Sequence, residues 1–193
     1  MQNKEIETFC PASKEEWRQW LKENHSSNQS VWLVQYKQNS TKPSMSWSDS
    51  VNEALCFGWI DSTRKTIDEE SFAQFFCKRK PTSNWSKINK AKVQRLIEEG
   101  LMAEAGFKSI EIAKKNGSWS ILDDVEELII PKDLEIAFQS QSGAEDFFNS
   151  LSKSVKKMIL QWLILAKRPE TRQKRIAETA ELAAQKLKPK QFR

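Results

Sequence analysis

The feature of the sequence that most constrains the fold is a change of hydrophobic period at Gly58. The residues before it have the spacing of a helix that ends at about Phe57, and glycine suits the C′ position after a helix. Residues 59–67 instead alternate with a period of two, 68–71 form a polar turn, and 71–79 return with three phenylalanines. The pattern predicts a helix that leads into an antiparallel pair of strands.

Three N-terminal segments complete the predicted sheet and its cover. Residues 13–16 (Ser-Lys-Glu-Glu) have the capping-box pattern that begins a helix. One face of that helix would bury Trp17, Trp20 and Leu21. Residues 31–37 are β-branched and aromatic and nearly apolar on both faces, which predicts an interior strand. Ser48 or Asp49 is expected to cap the helix before the hairpin.

The rest of the chain has helical patterns only. Ser83 or Ser86 is expected to begin the first of these helices, and Pro131 fits the first position of a later one. Ser142 and Ser152 are expected N-caps. The predicted helices run to about residue 99, then over 103–115, 131–139, 143–150, 153–166 and 169–187, with 188–193 as a loose tail. We predict an α+β fold, a small antiparallel sheet of three or more strands packed by helices, with an all-helical C-terminal portion.

The composition and charge narrow the function classes. We expect two domains, 1–125 with the GWID and SNWSKIN motifs and 126–193 with a basic last helix. Residues 166–193 hold nine Lys/Arg and three acids, a net +6, so the other residues together carry −1 and the net charge is +5. The basic character therefore belongs to the last segment, and nucleic-acid binding by the whole protein does not follow from it.

The location is expected to be cytoplasmic. The most apolar run, 158–166, is too short for a membrane span, and residues 1–5 lack the apolar stretch of a secretion signal. The three cysteines form no CxxC pair and are odd in number, which favours free thiols in a reducing compartment.

The single histidine, His25, limits the available chemistry. It lies among Asn and Ser residues and is expected in a solvated loop. A histidine-rich metal site is impossible, and no metal and no cofactor are expected. An enzyme is the less favoured class, and Asp61 is the weak candidate for a general base.

The candidate site is a rim where the strand of 71–79 ends and the next helix begins. Arg79 would offer a guanidinium suited to phosphate or carboxylate, and Ser83 and Ser86 would offer hydroxyls at a helix start. Trp59 and Trp85 could form its walls. The remaining candidates are Asp61, which could orient Arg79, and Asn89, which could close the cap.

Two alternatives are open at these positions. The rim residues could be purely structural, with Ser86 and Asn89 as caps, both tryptophans in the core and an Asp61–Arg79 ion pair. Separately, the last helix could present a basic stripe to nucleic acid, or it could be a solvated helix with pairs such as Glu170–Lys174. The residues of the basic helix are Lys167, Arg168, Arg172 and Arg175.

Four blocks of the sequence resemble the YdeI/OmpD-associated family, also called bacteriocin-protection proteins. The blocks are 54–62, 83–89, 96–102 and 166–172. The resemblance is expected to extend over nearly the whole chain, and the four blocks in this order make it specific. Where the family usually has Pro-Arg this chain has Lys78-Arg79, so Arg79 still matches. The resemblance implies a cytoplasmic bacterial protein linked to tolerance of bacteriocins, cationic peptides or envelope stress. It implies no catalytic residue and no established ligand.

Together these patterns favour a non-enzymatic protein that binds a small anionic or phosphate-bearing ligand at the rim. The competing hypotheses are a nucleic-acid-binding protein that uses the basic last helix and an enzyme that uses Asp61 as a base. The sequence leaves the oligomeric state open.

Overall fold

Four strands form one sheet in the computed structural model, which describes residues 6–193. The strands are β1 (Thr8–Phe9), β2 (Ser30–Tyr36), β3 (Trp59–Thr66) and β4 (Ser71–Lys78), in the spatial order β1-β2-β4-β3. The predicted hairpin is β3–β4, and β2 is an interior strand as predicted. The short β1 was not predicted, and it pairs with β2 in parallel. The expectation that no secretion signal is present rests on residues 1–5, which lie outside the described residues.

One face of this sheet forms the core of the first part of the chain. In β2 the residues alternate between buried and half-buried, so only one face is fully covered, and the sequence overstated the burial of the other. Val31 and Leu33 of β2 and Phe76 of β4 are inaccessible to solvent on the covered face. The predicted helix face of Trp17, Trp20 and Leu21 is confirmed as part of the same core.

Four helices accompany the sheet: α1 (Lys14–Asn24), α2 (Trp47–Cys56), α3 (Lys87–Glu98) and α4 (Glu104–Lys115). Ser13 caps α1 as predicted, although the Glu16 carboxylate accepts from the Ala12 N–H at 2.9 Å rather than from Ser13. The prediction that Ser48 or Asp49 caps α2 is wrong. Ser46 caps it, because its hydroxyl accepts from the Asp49 N–H at 3.0 Å and donates to the Asp49 carboxylate at 2.6 Å.

Two glycines let α4 approach the end of α2 closely. Gly58 follows α2 with φ of +72°, the left-handed conformation that its predicted C′ position requires. A Cβ on Gly58 would lie 2.9 Å from the Ala105 carbonyl oxygen, and a Cβ on Gly106 would lie 2.3 Å from the Cys56 carbonyl oxygen. The Ala103 N–H donates to that same Cys56 oxygen at 3.0 Å. Backbone-to-backbone packing therefore fixes α4 beside the corner between α2 and β3.

The chain divides into two compact units, Met1–Trp119 and Ser120–Arg193. The second unit is all helical, as predicted. Its helices are α5 (Asp123–Glu126), α6 (Lys132–Gln139), α7 (Ala144–Ser150), α8 (Lys153–Ile164) and α9 (Pro169–Ala184). The division into an α+β domain over 1–125 and a helical region over 126–193 stays a prediction. Within residues 6–193, no helix combines the length and the apolarity needed to cross a membrane.

Three details of the second unit differ from the predictions. Pro131 is the N-cap of α6 rather than its first residue, and Gly143 with φ of +73° takes the place predicted for Ser142. Ser152 does cap α8. The C-terminal tail is not loose, because a 3₁₀ turn over Lys190–Phe192 brings the Phe192 ring edge-on to Trp162 at 5.7 Å.

Candidate anion-binding site

A pocket of about 370 Å³ lies at the end of the sheet where β4 stops. Its walls come from the end of α1, the corner between α2 and β3, the end of β4, and one side of α4. The lining residues are His25, Ser26, Phe57, Gly58, Lys78, Arg79, Pro81, Ala105, Lys108, Ser109 and Ile112. The Arg79 N–H donates to the Gly58 carbonyl at 3.0 Å, which joins two of these walls. The pocket thus depends on the Gly58 corner and on the close approach of α4.

The charged residues that line this pocket are all cations. Lys78, Arg79 and Lys108 line it, and among the described residues that line it there is no Asp or Glu. Lys78 Nζ donates to the Ser26 carbonyl at 2.7 Å, whereas the Lys108 side chain is exposed. Apolar walls beside these charges raise the local positive potential, because field lines concentrate in a cleft of low dielectric. Such a cleft favours anions.

Arg79 is the most unusual side chain of the pocket. Its Nη2 donates to the Asn84 carbonyl at 2.6 Å, and its guanidinium carbon lies 3.7 Å from the centre of the Trp85 ring. Its Nε and Nη1 are buried and have no hydrogen-bond partner. A buried donor of a charged group without a partner is costly. A ligand with acceptor oxygens would remove that cost.

Burial also lowers the pKa of Arg79 well below its ordinary value, to about 10. The Asp61 carboxylate, and the Cys77 thiol once it is ionised, offset this only in part. The guanidinium therefore stays charged at neutral pH. At 1.36 kcal/mol for each pKa unit, the lowered value means that the charged form is destabilised by about 3 kcal/mol relative to water.

The structure brings some of the predicted rim residues together. Arg79 stacks on Trp85 and bonds to Asn84, so its guanidinium does face the segment that leads into α3. Ser86 is the N-cap of α3 and accepts from the Asn89 N–H at 3.3 Å, and Ser83 closes a turn through its N–H to the Lys80 carbonyl. None of Ser83, Ser86 and Asn89 lines the pocket. The ligand-facing roles predicted for them stay predictions.

The other rim residues are held elsewhere. Trp59 is inaccessible to solvent, packs edge-on against Trp20 at 5.8 Å and donates to the His25 carbonyl at 3.4 Å. Trp59 is thus a core residue, as the structural alternative proposed. Asp61 accepts from Trp47 Nε1 at 3.1 Å and from Gln74 Nε2 at 3.5 Å. It does not supply the missing partner of Arg79.

Of the residues that line the pocket, only Arg79 was a predicted site residue, and the missed residues include three with basic side chains. His25 was expected in a solvated loop, but it ends α1, with Nδ1 2.8 Å from the Leu21 carbonyl and its ring 5.3 Å from that of Phe57. Lys108 lies on α4, which the sequence predicted as a helix over 103–115 without showing where that helix docks. Lys78 could have been found, because it directly precedes Arg79 at the end of the same strand.

Most arginines of the predicted basic stripe form hydrogen bonds within the second unit. Arg172 donates to both carboxylate oxygens of Asp133, at 2.6 and 3.0 Å, and to the Leu163 carbonyl at 3.2 Å. Arg175 donates to the Trp162 carbonyl and lies over its ring at 4.8 Å. Lys167 and Arg168 are exposed just before α9. Two of the three arginines expected in the stripe thus hold the helices together.

We expect Arg172→Met to lower the free energy of unfolding by about 1 kcal/mol at pH 7, because the bidentate ion pair with Asp133 is lost. The figure is small because the Asp133 side chain is 45% exposed. The hydrogen bonds from Arg172 lower the pKa of Asp133 below 3.8. The ion-pair part of the effect should therefore persist above that ordinary value and vanish as the pH falls through the lowered pKa. Urea unfolding from pH 7 down to acid, with exposed Lys174→Met as the control, measures it. An equal loss in both variants would contradict the assignment.

Two family models match different parts of the chain. The family model described as "Domain of unknown function (DUF8412)" matches residues 9–109, just over half of the chain. The chain belongs to the DUF8412 family. A second model, described as "Bacteriocin-protection, YdeI or OmpD-Associated", matches residues 127–186. The searches of curated proteins and of solved structures gave no match.

The two matches correct the extent of the resemblance. The YdeI/OmpD-associated match covers only the helical segment 127–186, and of the four blocks that suggested it only 166–172 lies there. The GWID and SNWSKIN motifs lie in the DUF8412 part instead. The cations of the pocket, Lys78, Arg79 and Lys108, belong to that same part.

Proposed function

We propose that this protein binds a small anion that bears a phosphate or carboxylate group, in the pocket around Arg79. The observation that carries the proposal is the pair of buried, unpartnered donors on Arg79, in a pocket whose charged lining residues are all cations. A carboxylate or phosphate offers several acceptor oxygens to a guanidinium, which neutral ligands do not. The protein acts as a binding protein rather than an enzyme.

The pocket also limits the size and the character of the ligand. Its volume of about 370 Å³ is at the small end of the range of about 300–1,000 Å³ for ligand sites. Phe57 and Ile112 contribute apolar surface beside the cations. The ligand we propose therefore combines one anionic group with a compact apolar body.

The cellular role that we propose is tolerance of bacteriocins, cationic peptides or envelope stress, in the cytoplasm. The support is the match of residues 127–186 to a model named for bacteriocin protection. The free thiols Cys10, Cys56 and Cys77 agree with a reducing compartment. Anion binding in the first unit would serve this role as the sensing or carrying step.

The competing hypotheses have less support. Nucleic-acid binding by the last helix would need free arginines, but Arg172 and Arg175 are bonded within the second unit. An enzyme with Asp61 as its base would need that carboxylate in a pocket with a substrate. Asp61 instead accepts hydrogen bonds from Trp47 and Gln74.

Isothermal titration with phenyl phosphate, benzoate and inorganic phosphate tests the proposal. We expect at least one of the two aromatic anions to bind wild-type protein more tightly than phosphate. Arg79→Gln should weaken that binding by about 10- to 100-fold, because hydrogen bonds to a charged group contribute about 1.5–3 kcal/mol. Lys108→Gln should weaken it less, since Lys108 is exposed.

The matched control is Lys115→Gln, which removes an exposed cation from the same helix α4, outside the pocket. Lys115 pairs with Glu111 at 2.6 Å and does not line the pocket. It should leave the affinity unchanged. Equal affinity in wild type and in folded Arg79→Gln would refute the proposed site.

A further inference from the structure

A second and larger pocket, of about 590 Å³, lies at the opposite end of the sheet, where β2 ends. Its walls are Tyr36 at the end of β2, the following loop 37–46, and Trp47, the first residue of α2. Arg64 of β3 and Phe72 of β4 close it from the other side. The volume is within the usual range of about 300–1,000 Å³ for small-molecule sites. It is large enough for a ligand with a ring and an anionic group.

Arg64 reaches this pocket because β3 contains a register shift. Asp61 pairs with Phe76, but the next residue pair is Arg64 with Gln74. Between these two pairs β3 therefore has one residue more than β4. A regular strand would place Thr63 opposite Gln74. The shift instead turns Arg64 to the face of Phe72, which lies two residues from Gln74 on the same strand. Bulges commonly re-aim a side chain beside a functional site.

The guanidinium of Arg64 is positioned but not used by the protein. Its central carbon lies 3.5 Å from the centre of the Phe72 ring. Among residues 6–193, the Arg64 side chain forms no hydrogen bond and no ion pair. A stacked guanidinium has its donors fixed in one plane, ready for phosphate or carboxylate oxygens. Its neighbour Lys65 has its Nζ over Trp32, at 4.2 Å, on the other face of the sheet.

Two lysines add positive charge to the same pocket. Lys42 Nζ lies 4.9 Å from the centre of the Tyr36 ring and 4.0 Å from a carboxylate oxygen of Glu70. Lys37 Nζ donates to the Asp68 carbonyl at 2.9 Å. Among the described residues that line the pocket there is no carboxylate. The lining is therefore cationic even though Glu70 is near Lys42.

Trp47 supplies an exposed aromatic surface at the rim of this pocket. The residue is 49% exposed, which is unusual for a tryptophan in a folded protein. The ring is nevertheless held, because Nε1 donates to Asp61 at 3.1 Å and Lys92 Nζ lies 5.6 Å from the ring centre. A fixed and exposed indole is a surface on which a nucleic-acid base can stack.

A buried amide lies beside the pocket and has an unused acceptor. Gln35 is 1% exposed, and its Nε2 donates to the Met45 carbonyl at 3.3 Å. Its backbone pairs with Phe72, and both Met45 and Phe72 line the pocket. The Gln35 Oε1 has no hydrogen-bond partner. A ligand amino group would satisfy such an acceptor.

We propose that this second pocket binds a mononucleotide, with its base on Trp47 and its phosphate on Arg64 and Lys42. Each half of the ligand has its own support. The cations with no carboxylate in the lining beside them fit the phosphate, and the held, exposed indole fits the base. The site is distinct from the pocket around Arg79, because the two lie at opposite ends of the sheet and share no lining residue.

Titration with AMP, adenosine and ribose 5-phosphate, followed by calorimetry, tests this proposal. We expect AMP to bind more tightly than either fragment, because only AMP fills both halves of the site. Arg64→Gln should weaken AMP binding by about tenfold, as for the loss of a charge-assisted hydrogen bond. Trp47→Leu should weaken it by about tenfold through lost stacking. Both side chains are exposed, so both variants should fold.

Lys65→Gln is the matched control, since it removes a cation that also stacks on an aromatic ring but on the other face of the sheet. It should bind AMP as wild type does, and so should Arg79→Gln. Absence of AMP binding, or equal binding by wild type and Arg64→Gln, would overturn the proposal. Loss of AMP binding in Arg79→Gln but not in Arg64→Gln would also overturn it, since the nucleotide would then occupy the first pocket.

Discussion

Gly106→Ala is expected to lower the free energy of unfolding by about 3 kcal/mol, because overpacking against rigid backbone costs that much. The new Cβ would lie 2.3 Å from the Cys56 carbonyl oxygen, a distance that only a shift of α4 can relieve. Helix propensity alone predicts the opposite sign, since alanine is better than glycine inside a helix by about 1 kcal/mol. The sign of the measured change therefore separates the two effects.

Chemical denaturation followed by circular dichroism measures this change, and Gly100→Ala is its control. Gly100 follows a helix, with φ of +69°, but a Cβ there would meet nothing within 4 Å. It should cost only the strain of a left-handed alanine, about 1 kcal/mol. Gly106→Ala should also weaken anion binding, because α4 carries Lys108. A Gly106→Ala protein more stable than wild type would show that α4 does not dock this closely.

Arg79→Met is expected to weaken anion binding by at least the 10- to 100-fold expected for Arg79→Gln, while it raises the free energy of unfolding of the ligand-free protein by about 1 kcal/mol. Removing the buried charge removes a desolvation cost of about 3 kcal/mol. The loss of the contacts with Asn84 and Trp85 cancels part of this gain in stability. Binding sites often cost stability in this way. The matched control is Arg172→Met, the same change at an arginine whose donors have partners, which should destabilise the protein.

The pH dependence of this gain in stability follows from the pKa of Arg79, which burial lowers to about 10 in the folded protein. Below pH 10 the residue is charged in both the folded and the unfolded protein, so the full cost is present. As the pH rises above 10, the folded state loses the proton before the unfolded state does, which stabilises the wild type. The advantage of Arg79→Met should therefore be constant near neutral pH and shrink above pH 10. Urea unfolding in phosphate-free chloride buffer measures this difference in stability. A marked destabilisation by Arg79→Met would show instead that Arg79 has a structural role.

The sequence predicted those parts of the fold that depend on neighbours in the chain. The hairpin follows from the period change at Gly58 and from the polar turn before Ser71, both of which are local. The helix that buries Trp17 follows from its capping box. The sequence could not show that Ser46 would cap α2, because several serines in 44–50 compete and the choice depends on which one meets Asp49.

The candidate site could be predicted only in part, because some of its residues come together only through tertiary packing. Arg79 was found because it follows a strand and precedes a helix start. His25 and Lys108 were not, because they join Arg79 only through the docking of α1 and α4, and the docking of α4 is fixed by contacts such as Gly106 against Cys56. Trp59 could be assigned either to the site or to the core from sequence, and its burial assigns it to the core.

Anomalous diffraction from crystals soaked in selenate tests the anion site most directly, since the selenium position marks where an oxyanion binds. The expected result is a peak in the pocket between Arg79 and Lys108 in the wild type, and none there in crystals of Arg79→Gln. A wild-type crystal with ordered selenate elsewhere on the surface and none beside Arg79 would contradict the assignment of this pocket as an anion site.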